Sequence, residues 1–424
     1  MTTDDARRLR LSLNLSGVGR HGAAWLHPSS DPGVTLDVDH YVDVARIAER
    51  GGFTSVFLAD GPVVGTQANT IPHRFEPFEL LTAVALATER IGLIGTLSAT
   101  YNDPYLVAER VLSLDHLSAG RAAINIVASS GDQTARNFGL EHQPDHSTRY
   151  GRVQEFIDVL RAIWDGTAIG GQRYYAPYDG RRAIPSPQGR PVIVQAGGSP
   201  RGRTVAASSA DAVYAGSSTI GNAQAFYADV RARAAAAGRD PDSVKILPGA
   251  VPYVASTERE ARLLAHELDE LGRAGVDVIS PLGALLGLDL SDLDPEGPVP
   301  LDQVAEDTDL VGGVSLSNLA VTLAREEGLS VRALAERIHD GHFGNIQWKP
   351  TGTPEQVADE LERWFRAGTG DGFNLMVPVQ PASLEVFVDE VVPILRSRGL
   401  LAEPTEGSTL REGLGLTVPV PVEA

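Results

Sequence analysis

Cysteine is absent from this chain of 424 residues. That excludes disulfides, thiolate metal sites and a cysteine nucleophile. No stretch approaches twenty uninterrupted apolar residues, so the sequence offers no membrane-spanning helix. Behind the N-terminal MTTDDARRLR there is no apolar segment of the kind a secretory signal needs, and a cytoplasmic protein is expected. Positive charge is scarce. The 36 Lys and Arg stand against 55 Asp and Glu, leaving a net charge of -19. Nucleic acid is therefore an unexpected partner, since its binding draws on basic patches that release counterions. There is also no GxSxG elbow and no HExxH pair, and the histidines His21, His73, His116, His142, His146, His339 and His342 are scattered. His142 and His146 have a chelating spacing, but no carboxylate cluster accompanies them, so no metal site is expected.

What is present is an alternation of short β runs with helical stretches, the mark of parallel strands joined by crossover helices. Leu9–Leu15 (LRLSLNL) alternates as a first strand. Further strands are predicted at Ser55–Leu58, Ile91–Thr96, Ala122–Val127, Val192–Gln195, Ala212–Tyr214, Ile246–Val254 and Phe373–Met376. Helices are predicted over 37–51, 77–89, 104–117, 150–164 and 354–367, the last with Thr353 as N-cap. Eight strands is the count of a (β/α)8 TIM barrel of the α/β class. The rhythm breaks between about 258 and 349, which reads as a helical insertion in a single barrel domain spanning 1–401. Residues 402–424 read as an extended C-terminal tail.

Barrel chemistry is built at the carboxyl ends of strands. Three groups of polar residues fall there: Asp60, the set Thr96/Ser98/Thr100, and Asn125 to Ser130. Each has an ordinary alternative, because an Asp after a strand often caps a helix and hydroxyls often close turns. His146 and Tyr150 stand four apart at a helix start, where free N–H groups and the dipole suit an anion such as phosphate. A His–Tyr pair that merely caps and packs the helix fits the pattern equally. Ala196-Gly197-Gly198-Ser199, after a strand and before Arg201-Gly202-Arg203, suits phosphate cradling by backbone N–H groups. A generic glycine-rich βα loop is the competing reading.

Several segments, in order, resemble one family. They are GRHGAAW (Gly19–Trp25), AERGGFTSVFLAD (Ala48–Asp60), the run Phe75–Arg110, LDHLSAGRAAINIV (Leu114–Val127), RNFG, HSTRY, PSPQGRPVIVQAGGSPRGR (Pro185–Arg203), GTPEQVADEL, DGFNLM, VVPILRSRGL and GSTLREGLGL. Together they resemble the nitrilotriacetate and dibenzothiophene-sulfone monooxygenase group of the luciferase-like flavin-dependent monooxygenases. The resemblance implies a TIM barrel of bacterial-luciferase type. It implies the oxygenase component of a two-component system, in which reduced FMN comes from a separate NAD(P)H:flavin reductase. It further implies that O2 forms a flavin (hydro)peroxide which oxidises a small organic substrate. Carried over by position, Asp60 and Thr96 lie along the flavin, His146 and Tyr150 reach the flavin and its phosphate end, and Ser199 binds the phosphate. His21 and Trp25 are expected on the substrate side, His21 as a hydrogen-bond donor and Trp25 as a contact or a packed wall. A homodimer or homotetramer is implied as well.

The sequence departs from that pattern at several points. Arg20-His21 replaces a pair of histidines, Leu26 an arginine, and Ile124 and Ala128 a Trp and a Thr; the stretch from Trp164 to Tyr174 is shortened. The reaction class survives these changes, but a particular substrate does not carry over. Other readings are a deazaflavin-dependent hydride transferase on the same barrel, a non-catalytic flavin-binding protein, and a barrel hydrolase. The hydrolase lacks paired carboxylates at strand ends.

Overall fold

A computed structural model describes residues 7–62, 75–129, 131–181, 184–304, 314–340 and 347–419. His73, Ser130 and His342 lie outside the described residues. Eight parallel strands form the core of the molecule. They are β1 (Arg10–Asn14), β2 (Ser55–Leu58), β3 (Gly92–Ser98), β4 (Ala122–Val127), β5 (Val192–Ala196), β6 (Ala212–Ala215), β7 (Lys245–Ala250) and β10 (Gly372–Leu375). They close into a barrel in the order β1-β10-β7-β6-β5-β4-β3-β2. A separate two-residue pair joins β8 (Tyr253–Val254) to β9 (Thr351–Gly352). The predicted strand Ile246–Val254 is thus two strands, parted at Val251-Pro252, because proline has no N–H to continue a ladder.

The alternation in β1 explains its placement. Ser12 and Ser55 hydrogen-bond inside the barrel to each other, and Ser12 also to Tyr214 of the far strand β6. Leu11 and Leu13 therefore face outward, into the main apolar cluster beneath the helices. Around the barrel run α1 (Val38–Arg50), α2 (Pro77–Ala87), α3 (Pro104–Leu117), α4 (Asp132–Asn137), α5 (His146–Asp165), α6 (Pro200–Ser209) and α7 (Ile220–Ala236). Their starts follow local chemistry. Glu76 and Asp103 accept from backbone N–H groups of the first turn, and proline stands at the first helical position of α2, α3 and α6.

A half-buried carboxylate and a buried guanidinium lock the amino-terminal face. The Glu49 carboxylate accepts from the N–H groups of Glu89, Arg90 and Ile91. Arg121 donates to the carbonyls of Ala85, Thr88, Ile91 and Ser118. The C-terminal tail returns beneath this face and forms a one-turn helix, Leu410–Gly413. Leu410, Leu414 and Leu416 join the barrel's interior cluster with Ile94, Val192 and Leu247. Arg411 pairs with Asp211 at 3.1 Å, both nearly inaccessible to solvent.

After β8 come α8 (Glu258–Arg273), α9 (Ile279–Leu286), α10 (Val314–Glu327) and α11 (Val331–Asp340), followed by α12 (Pro354–Arg366) on the barrel wall. Leu282, Leu286, Leu334 and Ile338 belong to an apolar cluster separate from the barrel core.

Candidate active site

A cavity of about 640 Å³ opens at the carboxyl ends of the strands. Its deep wall consists of polar side chains on five of the strands: Asn14 on β1, Thr96 on β3, Asn125 on β4, Tyr214 on β6 and Asn374 on β10. Asn125 Nδ2 donates to Thr96 Oγ1 at 3.0 Å. The side-chain oxygens of Asn125 and Asn374 are buried and have no hydrogen-bond partner among the described residues. An orphaned acceptor of this kind is unfavourable unless a ligand satisfies it. Tyr214 is fully enclosed, and burial pushes its phenol up to about 12. It stays neutral and hydrogen-bonded to Ser12 at 2.7 Å.

Of the residues expected from sequence, Asp60 and Thr96 line this cavity. A second group forms beside it. Ser199 caps α6 by accepting from Gly202 N–H, and its hydroxyl lies 3.1 Å from the Tyr150 hydroxyl. The ring of His146 is 4.6 Å from that of Tyr150, centroid to centroid. Gly197 and Gly198, immediately before Ser199, line the cavity directly. A Cβ on Gly198 would meet nothing within 4 Å, so this backbone borders open space. Arg203 also lines the cavity, paired at 3.1 Å with Asp229, which Arg233 shares at 2.9 Å.

The reading of α5 as an anion-binding terminus needs correction. The helix starts one turn earlier than its apolar periodicity predicts, and Asp145 already caps it, accepting from Thr148 N–H and from the hydroxyls of Ser147 and Thr148. These bonds hold the Asp145 carboxyl far below its usual range. An anion at that terminus meets a carboxylate. The anion-competent end belongs to α6, where the cap is a neutral serine.

His21 and Trp25 are not among the residues lining the cavity. His21 is buried, its Nε2 2.9 Å from the Asp269 carboxylate on α8 and its Nδ1 accepting from Ala23 N–H. Nε2 thus carries the proton and Nδ1 the lone pair. The imidazole latches the insertion to the β1 loop. Burial works against the charge of Asp269, yet the His21 hydrogen bond, with Lys349 and Arg273 nearby, holds that carboxyl below its usual range. Trp25 packs with Val18, Tyr253, Leu268 and Val379 as a wall residue.

Sequence reasoning missed Asn14, Tyr214, Asn374, Ser217 and Gln347 as lining residues. A signal existed for two of them: Asn374 is the single polar side chain of GFNL, and Asn14 is the last polar position of the alternating LRLSLNL. Gln347 stands near the end of the insertion, where periodicity gives no position. Gly17–Gly22 (GVGRHG) carries a GxGxxG spacing, but leads into the short 3-10 turn Ala24–Leu26. No helix N-terminus stands behind it for a pyrophosphate.

The sequence pattern of the luciferase-like monooxygenase family matches residues 19–371. Among characterised proteins, the chain is 36% identical to N-acetyl-S-(2-succino)cysteine monooxygenase of Bacillus subtilis, over 99% of each. It is 35% identical to dibenzothiophene-sulfone monooxygenase of Rhodococcus erythropolis, over 94% of each. Among solved structures, EDTA monooxygenase from Chelativorans sp. BNC1 superposes with a TM-score of 0.75 at 31% identity, covering 97% of this chain and 99% of that one.

Proposed function

The chain belongs to the luciferase-like monooxygenase family, and from that premise we propose how its cavity serves the activity. It is the oxygenase component of a two-component FMN-dependent monooxygenase, acting with O2 on a small organic substrate. In such a system a separate NAD(P)H:flavin reductase supplies the reduced flavin. The observation that carries our assignment of the site is the pairing of orphaned buried amides with a glycine-lined loop in one cavity.

These residues fit FMN. The Ala196–Ser199 loop takes the phosphate, with the Ser199 and Tyr150 hydroxyls as donors and His146 beside them. Thr96, Asn125 and Asp60 would hold the isoalloxazine, with the unpartnered oxygen of Asn125 available as an acceptor. Bound reduced FMN supplies the two electrons and the oxygen-activating chemistry. The protein's part is to hold the ring against the deep wall and exclude water. The His21–Asp269 contact anchors the insertion over the β1 side, and Gln347 brings the end of that insertion to the cavity. We further infer a single barrel domain with its insertion and tail, a cytoplasmic location, a homodimer or homotetramer, and no nucleic-acid or membrane partner. Among the described residues no helix is long and apolar enough to cross a membrane.

Stopped-flow absorbance tests this reading. Anaerobic protein with FMNH2 is mixed with oxygenated buffer, and bound flavin is expected to reoxidise in distinct phases, more slowly than free flavin. A single phase at the free-flavin rate, with and without candidate substrates, overturns it.

A further inference from the structure

Arg20 is a charged residue in the cavity wall that the flavin assignment leaves unused. It follows β1, and three strands separate β1 from β5 in either direction around the closed sheet. Arg20 therefore faces the cavity from across the barrel mouth, opposite the Ala196–Ser199 loop. Its position is fixed by backbone. Arg20 N–H donates to Val377 O at 3.0 Å, and His21 N–H to Pro378 O at 3.2 Å. Gly19 permits this approach: its φ is +127°, and a Cβ there would sit 2.2 Å from Pro378 O.

The guanidinium makes no hydrogen bond or ion pair with any described residue. Arg203, the other arginine lining the cavity, is paired with Asp229. Burial alone lowers the Arg20 pKa, with no acidic neighbour raising it. Arginine stays charged even so. A largely enclosed cation without a counter-charge is unfavourable until an anion arrives, and the planar fork of donors matches a carboxylate bidentately.

We propose that Arg20 is the substrate-recognition residue of this cavity and that the substrate carries a carboxylate group, which Arg20 binds opposite the flavin phosphate. This rests on the assignment of the phosphate to the β5 loop. The carboxylate at Arg20 anchors one end of the molecule, and the carbon or heteroatom to be oxidised lies further in, toward Asn374 and Met376.

Isothermal titration of the protein, with and without bound FMN, tests the proposal using acetate, succinate, glutarate and benzoate beside their neutral amides. At least one carboxylate is expected to bind tenfold or more tightly than its amide. Arg20→Gln should abolish that preference, Arg20→Lys should retain part of it, and both variants should keep the FMN affinity of the wild type with a melting temperature no lower than its own. Equal binding of acids and amides across the set, or a preference that survives in Arg20→Gln, overturns the proposal. So does a loss of FMN affinity in Arg20→Gln, because Arg20 then serves the flavin. A charge preference without any FMN binding would instead sink the flavin assignment and leave the carboxylate assignment standing.

Discussion

Asn374 brings to the cavity a side-chain oxygen that the described protein leaves unpaired. Leaving a buried acceptor unsatisfied is unfavourable by about 1–3 kcal/mol, and replacing it with an apolar group of similar size removes that penalty. Asn374→Leu should therefore raise the melting temperature of FMN-free protein by about 1–2 °C and weaken binding of flavin or substrate by about tenfold. Calorimetry on the same preparations checks both; a variant less stable than wild type shows that Asn374 has a structural partner. At the other end of the cavity, Ser199→Ala and His146→Ala should each weaken FMN binding by about 1 kcal/mol or more with the fold intact. Unchanged affinity in both removes the phosphate assignment. Asp60 and Thr96 were legible as cavity-lining residues because the carboxyl ends of barrel strands converge on one mouth. His21 was misleading for the same reason: its position after β1 is right, but its partner Asp269 lies 248 residues away.

Helix caps were legible where cap and helix are adjacent, as with Thr353 and α12, where Gln356 completes a capping box. The beginning of α5 was not, since its apolar stripe starts only at Val153 and its first turn is capped by Asp145. The tail was the element least readable from sequence. LREG has no strong periodicity, yet its Arg411 enters a buried pair. There burial works against the charge of Asp211, but Arg411 and Arg190 hold its carboxyl below the usual range. Arg411→Ala leaves that carboxylate enclosed without its ion-pair partner, which should lower unfolding free energy by about 3–5 kcal/mol. Urea denaturation measures it, and a loss below about 1 kcal/mol would mean that water reaches Asp211.

At the scale of the molecule, the insertion holds a part-buried cluster of charges. Asp340, at the end of α11, faces Asp269, Arg273, Lys349 and Glu336; burial first, then Asp269, raises its carboxyl to about 6. The folded protein thus binds a proton that the unfolded chain, with an ordinary carboxyl near 3.8, releases. This contribution is gained as pH falls through about 6 and complete below about 4; at neutral pH the ionised group works against the fold. Asp340→Asn should accordingly be more stable than wild type at pH 7.5, with the advantage vanishing by about pH 4. Melting curves across that range decide it. A variant that is less stable at pH 7.5 shows that Arg273, 3.4 Å away, holds the carboxylate as an ion pair.

The sequence by itself determined the barrel, its eight strands, the absence of thiol chemistry and the glycine-rich loop that borders the cavity. These follow from local periodicity, chain-adjacent caps and residues at strand ends. Only the tertiary structure decided which polar groups converge. Asn14, Tyr214 and Asn374 come from strands far apart in the chain, His21 is claimed by the insertion, and Arg20 faces the cavity with no acid beside it. A side chain's neighbours are set by barrel closure and loop packing, and neither is written in the spacing of nearby residues.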